Sequence, residues 1–128
     1  MIIGTGIDIV EIDRFKKTVK KYGNSFLKKI FTNNEISYSK KRRFSNQHFA
    51  ARFATKEAVL KAFGDNPGAI KKWTDIEVLN DKNGKPLVSF HGSAEKLRKR
   101  KKVDKVIVSM AHSRGHAVAN AILIGGEK

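Results

Sequence analysis

The chain is 128 residues long and carries 27 lysines and arginines against 12 aspartates and glutamates, a formal net charge of +15. That length suits one domain, residues 1–128, with a core of its own, and the absence of cysteine leaves no part for disulfides. No apolar run is long enough to span a bilayer and Met1 leads directly into a strand, so a cytoplasmic protein without a membrane partner is expected. The positive surplus favours polyanions: nucleic acid, acidic protein or a phosphorylated small molecule.

Taken in order, Ile2, Ile3, Ile7, Ile9, Val10 and Ile12 predict a first strand that is apolar on both faces, as in a central strand. Gly4-Thr-Gly6 is followed by neither a third glycine nor an immediate helix, which excludes a dinucleotide-binding turn. Asp13 is placed to cap a helix from Arg14 to about Tyr22 that Gly23 ends, and a short helix from about Ser25 to Ile30 follows. Thr32-Asn-Asn-Glu35 fits a capping box, so the next helix runs from Asn33 to about Lys40. The basic run Lys40-Lys-Arg-Arg43 reads as a solvated loop, with docking or phosphate binding as the alternative. Asn46 to Gly64 reads as one long helix, because Phe49, Phe53, Leu60 and Phe63 recur at helical spacing and Gly64 is a stop signal.

Asp65-Asn-Pro-Gly68 is a loop by composition. Asp75–Leu79 and Leu87–His91 read as strands joined through a tight turn at Asn83-Gly84. Ser93 can cap a helix from Ala94 to about Lys102, in which only Ala94 and Leu97 can pack inward. Val106–Ala111 and Ala117–Ile124 form a last hairpin about Ser113-Arg-Gly-His116, with His112 where its first strand meets the turn. The expected fold is therefore α+β: an N-terminal strand, three or four central helices, and a mostly antiparallel sheet with one helix between its strands.

Two carboxylates stand where their types are disfavoured. Glu57 lies four residues after Phe53 and three before Leu60, at the edge of the apolar stripe, with Lys61 one turn further on. By itself this is an ordinary i,i+4 ion pair. Asp8, however, sits between Ile7 and Ile9 in a strand, a place from which aspartate is depleted. Two such residues from distant parts of the chain suggest one shared site, and hard oxygen ligands of this kind suit Mg²⁺, which takes one or two carboxylates and completes its shell with water and phosphate. Zinc is disfavoured, since cysteine is absent and the four histidines show no ligand spacing.

Four blocks, Gly4-Thr-Gly-Ile-Asp-Ile-Val-Glu-Ile-Asp-Arg-Phe15, Phe31-Thr-Asn-Asn-Glu35, Arg52-Phe-Ala-Thr-Lys-Glu-Ala-Val-Leu-Lys-Ala-Phe63 and Val108-Ser-Met-Ala-His-Ser113, stand in the order and at the distances found in one family. Together with Trp73-Thr-Asp-Ile-Glu-Val78 and Asn83-Gly-Lys-Pro86 they closely resemble the holo-[acyl-carrier-protein] synthases, the small 4′-phosphopantetheinyl transferases of bacterial fatty-acid synthesis. The resemblance implies that family's fold, coenzyme A as donor, Mg²⁺ as cofactor, a serine of apo-acyl carrier protein as acceptor, and adenosine 3′,5′-bisphosphate as second product. It assigns the metal to Asp8 and Glu57, and charge neutralisation on the departing bisphosphate to Lys61. The serine proton goes to Glu57 or to a metal-bound water. Coenzyme A contacts fall to His112, Arg52, Lys85 and Pro86, besides Lys61, and the carrier contact to Arg14. The resemblance further implies a homotrimer whose sites lie between subunits, Asp8 and Glu57 coming from one chain and nucleotide contacts from its neighbour.

The residues also admit plainer readings. His112 could cap a turn and Arg52 could be a solvated helix residue, while His48, His91 and His116 read as structural or surface residues. The main rival function is a small basic RNA- or ribosome-binding protein, for which +15 would be ordinary. Against it, the aromatic residues fall at helix-core spacing rather than on a strand face where bases could stack, so no nucleic acid partner is expected. The second rival, the related transferase of peptide and polyketide synthases, has double-length chains. The helix segment Lys96-Leu-Arg-Lys-Arg-Lys-Lys102 is more basic than the family pattern and leaves open a further anionic partner.

Overall fold

In the computed structural model of the chain, which describes residues 1–64 and 67–126, strand β1 (Ile2–Glu11) passes directly into helix α1 (Ile12–Ile30). The helix therefore starts before the expected cap: Glu11 holds the cap position with extended backbone and Asp13 lies in the first turn, where a carboxylate still meets the positive end of the helix dipole. Gly23, at φ +62° and ψ −143°, is not helical, so α1 is two helical stretches joined across a kink at this glycine, where the sequence placed the end of the first helix. Helix α2 (Asn33–Lys40) has the expected bounds, and its capping box is formed: Thr32 Oγ1 accepts from the Glu35 amide at 3.2 Å while Glu35 Oε1 accepts from the Thr32 amide at 2.8 Å.

Helix α3 (Ser45–Ala62) follows, and after single 3₁₀ turns at Pro67–Ala69 and Trp73–Asp75 come β2 (Ile76–Asn80) and β3 (Pro86–Phe90). Asp65 and Asn66 of the expected loop lie outside the described residues. Helix α4 spans Gly92–Arg100 and begins before Ser93, whose side chain is not a cap. The Ser93 hydroxyl instead donates to Asp75 Oδ2 at 2.6 Å and accepts from the Lys71 amide at 2.8 Å, tying α4 to the 3₁₀ turn. The final hairpin is longer than expected, β4 running Val103–His112 and β5 His116–Gly125.

The strands form a three-stranded antiparallel sheet in the order β1-β5-β4 and a separate hairpin of β2 with β3. Strand β1 is thus an edge strand rather than a central one. Its alternate residues explain the double apolar pattern: one face packs under α3, and the other leaves Ile7 65% and Ile9 64% exposed, with Ile2 and Ile107 also exposed. Helix α3 lies across the inner face because both surfaces are small there. A Cβ on Gly4 would stand 2.0 Å from the Ala62 carbonyl oxygen, and one on Gly6 2.1 Å from that of Ala58, so backbone meets backbone. Around this contact Ala58, Val59, Ala119, Ala121 and Leu123 make the main core, and Phe15, Phe31 and Phe49 a second one under α1. No helix among the described residues is long and apolar enough to cross a membrane.

Candidate active site

The glycine contact carries a chemical consequence two residues further along β1. On the same face as Gly4 and Gly6, Asp8 comes against α3 with its side chain only 11% exposed, and Lys61 reaches it with Nζ 2.8 Å from Oδ1 and 3.2 Å from the Ile7 carbonyl oxygen. The Lys61 ammonium therefore closes on Asp8 rather than on Glu57, its i,i+4 neighbour. Hydrogen bonding to Asp8 holds Lys61 above its ordinary range, with the Asp8 and Glu57 charges adding to that direction. Glu57 is half-buried, and burial first and the Asp8 charge second push its carboxyl upward, against the opposing pull of Lys61. Asp8, Glu57 and Lys61 thus come together as the sequence led one to expect, two mutually repelling carboxylates with one flexible cation beside them. A cation placed between the two carboxylates would relieve both the burial and the repulsion, and their hard oxygens fit Mg²⁺. Among the described residues no group of three or more His, Cys, Asp or Glu could hold a metal, so substrate or water would have to complete the shell.

Glu57 is held at its angle around α3 by the residue before it. Lys56 and Glu35 are both wholly buried, with Lys56 Nζ 2.8 Å from Glu35 Oε1. The same ammonium donates to the carbonyl oxygens of Ile30 at 2.9 Å, Ile76 at 2.6 Å and Trp73 at 3.2 Å, while Glu35 Oε2 accepts from the Val78 amide at 2.7 Å. Burial lowers the Lys56 proton affinity and the Glu35 carboxylate opposes that change. This network joins α1, α2, α3 and β2 at one point. Neither Lys56 nor the second role of Glu35 was expected from the sequence.

At the other end of α3 lies a cationic cluster. Arg52 is only 2% exposed, not solvated. Its guanidinium lies 4.1 Å from the Tyr38 ring centroid and bonds Asn80 Oδ1, and its buried Nε has no hydrogen-bond partner. Arg42, from the basic run, packs on the same ring at 3.4 Å. The His48 ring stands edge-on to Tyr38 at 6.3 Å and to His112 at 5.5 Å between centroids. Asn80 pairs with Pro86 across the β2–β3 hairpin and donates to the Gly84 carbonyl oxygen at 2.9 Å, which connects Arg52 to the turn carrying Lys85. Arg52, His112, Lys85 and Pro86 therefore belong to one region, joined by Tyr38, Arg42 and His48. It is separate from the carboxylates: β5 lies between β1, which carries Asp8, and β4, which carries His112. Arg14 is exposed on α1, in a loose 3.9 Å pair with Glu11. It lines a cleft of about 390 Å³ together with Asp8, Glu57, Phe15, Phe26 and Phe53.

Known proteins fit this arrangement over the whole chain. The model of the 4′-phosphopantetheinyl transferase superfamily matches residues 4–121. The chain is 46% identical to a holo-[acyl-carrier-protein] synthase of Syntrophus aciditrophicus over 98% of either sequence. It superposes on the Neisseria meningitidis holo-[acyl-carrier-protein] synthase with a TM-score of 0.87 at 28% identity, covering 97% of this chain and 99% of that one. For the Bacillus anthracis synthase, solved in complex with CoA (3′,5′-ADP), the TM-score is 0.80 at 35% identity, with 98% and 99% covered. Full-length identity at this level, on a fold that presses two carboxylates and a lysine together, leaves one conclusion: the chain belongs to the 4′-phosphopantetheinyl transferase superfamily, among its holo-[acyl-carrier-protein] synthases, and is an enzyme.

Proposed function

We propose that this enzyme transfers the 4′-phosphopantetheine group of coenzyme A to a serine of apo-acyl carrier protein, with Mg²⁺ as cofactor and adenosine 3′,5′-bisphosphate as the second product. The observation that carries the reading is the gathering of Asp8, Glu57 and Lys61 where two glycines let α3 touch β1. Mg²⁺, bound by Asp8 and Glu57, would neutralise charge on the coenzyme A diphosphate.

The chain's own residues supply positioning and proton movement, which is most of what phosphoryl transfer needs. The serine oxygen bonds to the phosphorus on the pantetheine side as the bond from that phosphorus to the bridging oxygen breaks. The serine proton passes to Glu57 or to a water that the carboxylates order. Lys61, exposed enough to swing away from Asp8, stabilises the bridging oxygen as it departs on the bisphosphate. The nucleotide half of coenzyme A falls to His112, Arg52, Lys85 and Pro86. The carrier docks over the cleft beside Arg14, attracted by the exposed Lys16, Lys17, Lys20 and Lys21 of α1.

A homotrimer with its sites between subunits fits the same reading. The outer sheet face is apolar and uncovered in the single chain, and Asp8 and His112 lie on opposite edge strands. A neighbouring copy's His112 region brought to this copy's Asp8 would unite the two halves around one coenzyme A.

The test is the intact mass of apo-acyl carrier protein after incubation with the enzyme, coenzyme A and Mg²⁺, alongside a chelator control and Glu57→Ala. A phosphopantetheine-sized gain that both controls abolish is the expected result. No gain from a folded wild-type enzyme overturns the transferase reading, and a gain that survives the chelator overturns the metal.

A further inference from the structure

His48 has no place in the reaction as drawn so far, yet it stands at the centre of the cationic cluster. Every group facing it is cationic or able to become so, or aromatic. Arg52 lies one turn further along α3, Arg42 comes from the segment between α2 and α3, and His112 from β4; Tyr38 of α2 closes the fourth side. No acidic side chain acts on it among the described residues. Burial and then the charges of His112, Arg52 and Arg42 lower its proton affinity, so in the free enzyme the imidazole is neutral near pH 7. A cluster of this composition, with the buried Arg52 Nε lacking a hydrogen-bond partner and Glu35 as the carboxylate that acts on Arg52, repels cations and attracts anions.

We propose that His48 is a further phosphate-binding residue of the nucleotide site, and that it takes up a proton when the phosphate arrives. The inference rests on the reading that His112 and Arg52 belong to the coenzyme A site. An arriving phosphate dianion reverses the electrostatics at His48, since the charge that disfavours imidazolium is then opposed by one that favours it. Binding then strengthens as pH falls from about 8 toward 6.5, by up to about tenfold per pH unit for a single proton. Below about pH 6 the phosphate itself becomes protonated and the gain levels off.

The test is calorimetric titration of the full-length enzyme with adenosine 3′,5′-bisphosphate between pH 6.5 and 8, in two buffers of different ionisation enthalpy. The wild type is compared with His48→Gln and His48→Phe, the second of which keeps a ring of similar shape. Wild type is expected to take up a proton. Both variants should take up less, show a flatter pH dependence, and bind roughly tenfold more weakly at pH 6.5, where the imidazolium contact is made. The KM for coenzyme A should rise with kcat unchanged, and the His48 ring protons in the wild type should report a pKa that climbs on addition of the bisphosphate. Binding with full proton uptake and unchanged affinity in both variants overturns the inference and leaves the transferase reading intact. No binding by a wild type that also fails to modify the carrier overturns both.

Discussion

Glu57 is placed where its own charge is disfavoured twice, by burial and by Asp8, and this sets two expected outcomes. A carboxyl whose folded-state pKa is raised contributes stability below the ordinary carboxylate range and loses it as pH rises through the raised value. Without metal, Glu57→Gln should therefore melt higher than wild type at pH 7, the gain shrinking as pH drops toward 4, while the transfer rate falls by about 10²–10⁴. Melting curves at the two pH values with a chelator present check the first part, and equal melting temperatures at pH 7 would contradict it. Lys56 sets a second expectation: Lys56→Met leaves the Glu35 carboxylate buried and unpaired, and should cost about 3–5 kcal/mol in denaturant unfolding. The signal for Lys56 was present in the sequence. Phe49, Phe53, Lys56, Leu60 and Phe63 are spaced four, three, four and three, so the lysine lies on the apolar stripe itself, whereas Glu57 is one residue off it. Its meaning was hidden because its partners are backbone carbonyls of three other elements, and periodicity carries no tertiary contacts.

At the level of elements, α2 was legible to the residue because its start is fixed by a local device, the Thr32–Glu35 box. Ser93 and Asp13 have the right chemistry for caps but do not act as caps; Ser93 is drawn away by Asp75, 18 residues earlier in the chain, which nothing in the local sequence shows. The glycines of β1 illustrate the same limit. Their spacing suggested a phosphate loop that was properly rejected, but only the docked helix explains them, as the place where two backbones touch. Gly6→Ala is accordingly expected to destabilise the fold by about 1–3 kcal/mol and to weaken metal-dependent transfer further than that loss accounts for, because α3 must retreat from Asp8. Unfolding and carrier-modification assays on the same preparation separate the two effects. By contrast Gly23→Asn meets open space but a backbone, φ +62° and ψ −143°, that suits glycine alone, so it should cost about 1–3 kcal/mol in unfolding while the transfer rate of the folded enzyme holds.

For the molecule as a whole, two surfaces invite measurement. The outer sheet face exposes Ile7 and Ile9, so Ile9→Lys should fold normally yet convert the proposed homotrimer to monomers by light scattering and lose most activity; an active monomer would contradict the proposed shared site. The basic surface should make carrier docking depend on salt, the KM for the carrier rising several-fold between 50 and 300 mM NaCl while kcat holds. The partners, and the expectation of a homotrimer, came only from family resemblance, since composition reports total charge and not where an uncovered face lies. The sheet order has one more consequence, for the time at which the enzyme comes into being. Strand β1 is made first, but its sole neighbour in the sheet is β5, and Asp8 is registered against Ala119. A nascent chain thus carries Asp8 without a strand partner until β5 has been made, and until then only α3 can hold it. Site assembly is in this sense a receipt for the making of β5: a product lacking that strand would hold every proposed catalytic residue without the sheet that backs Asp8.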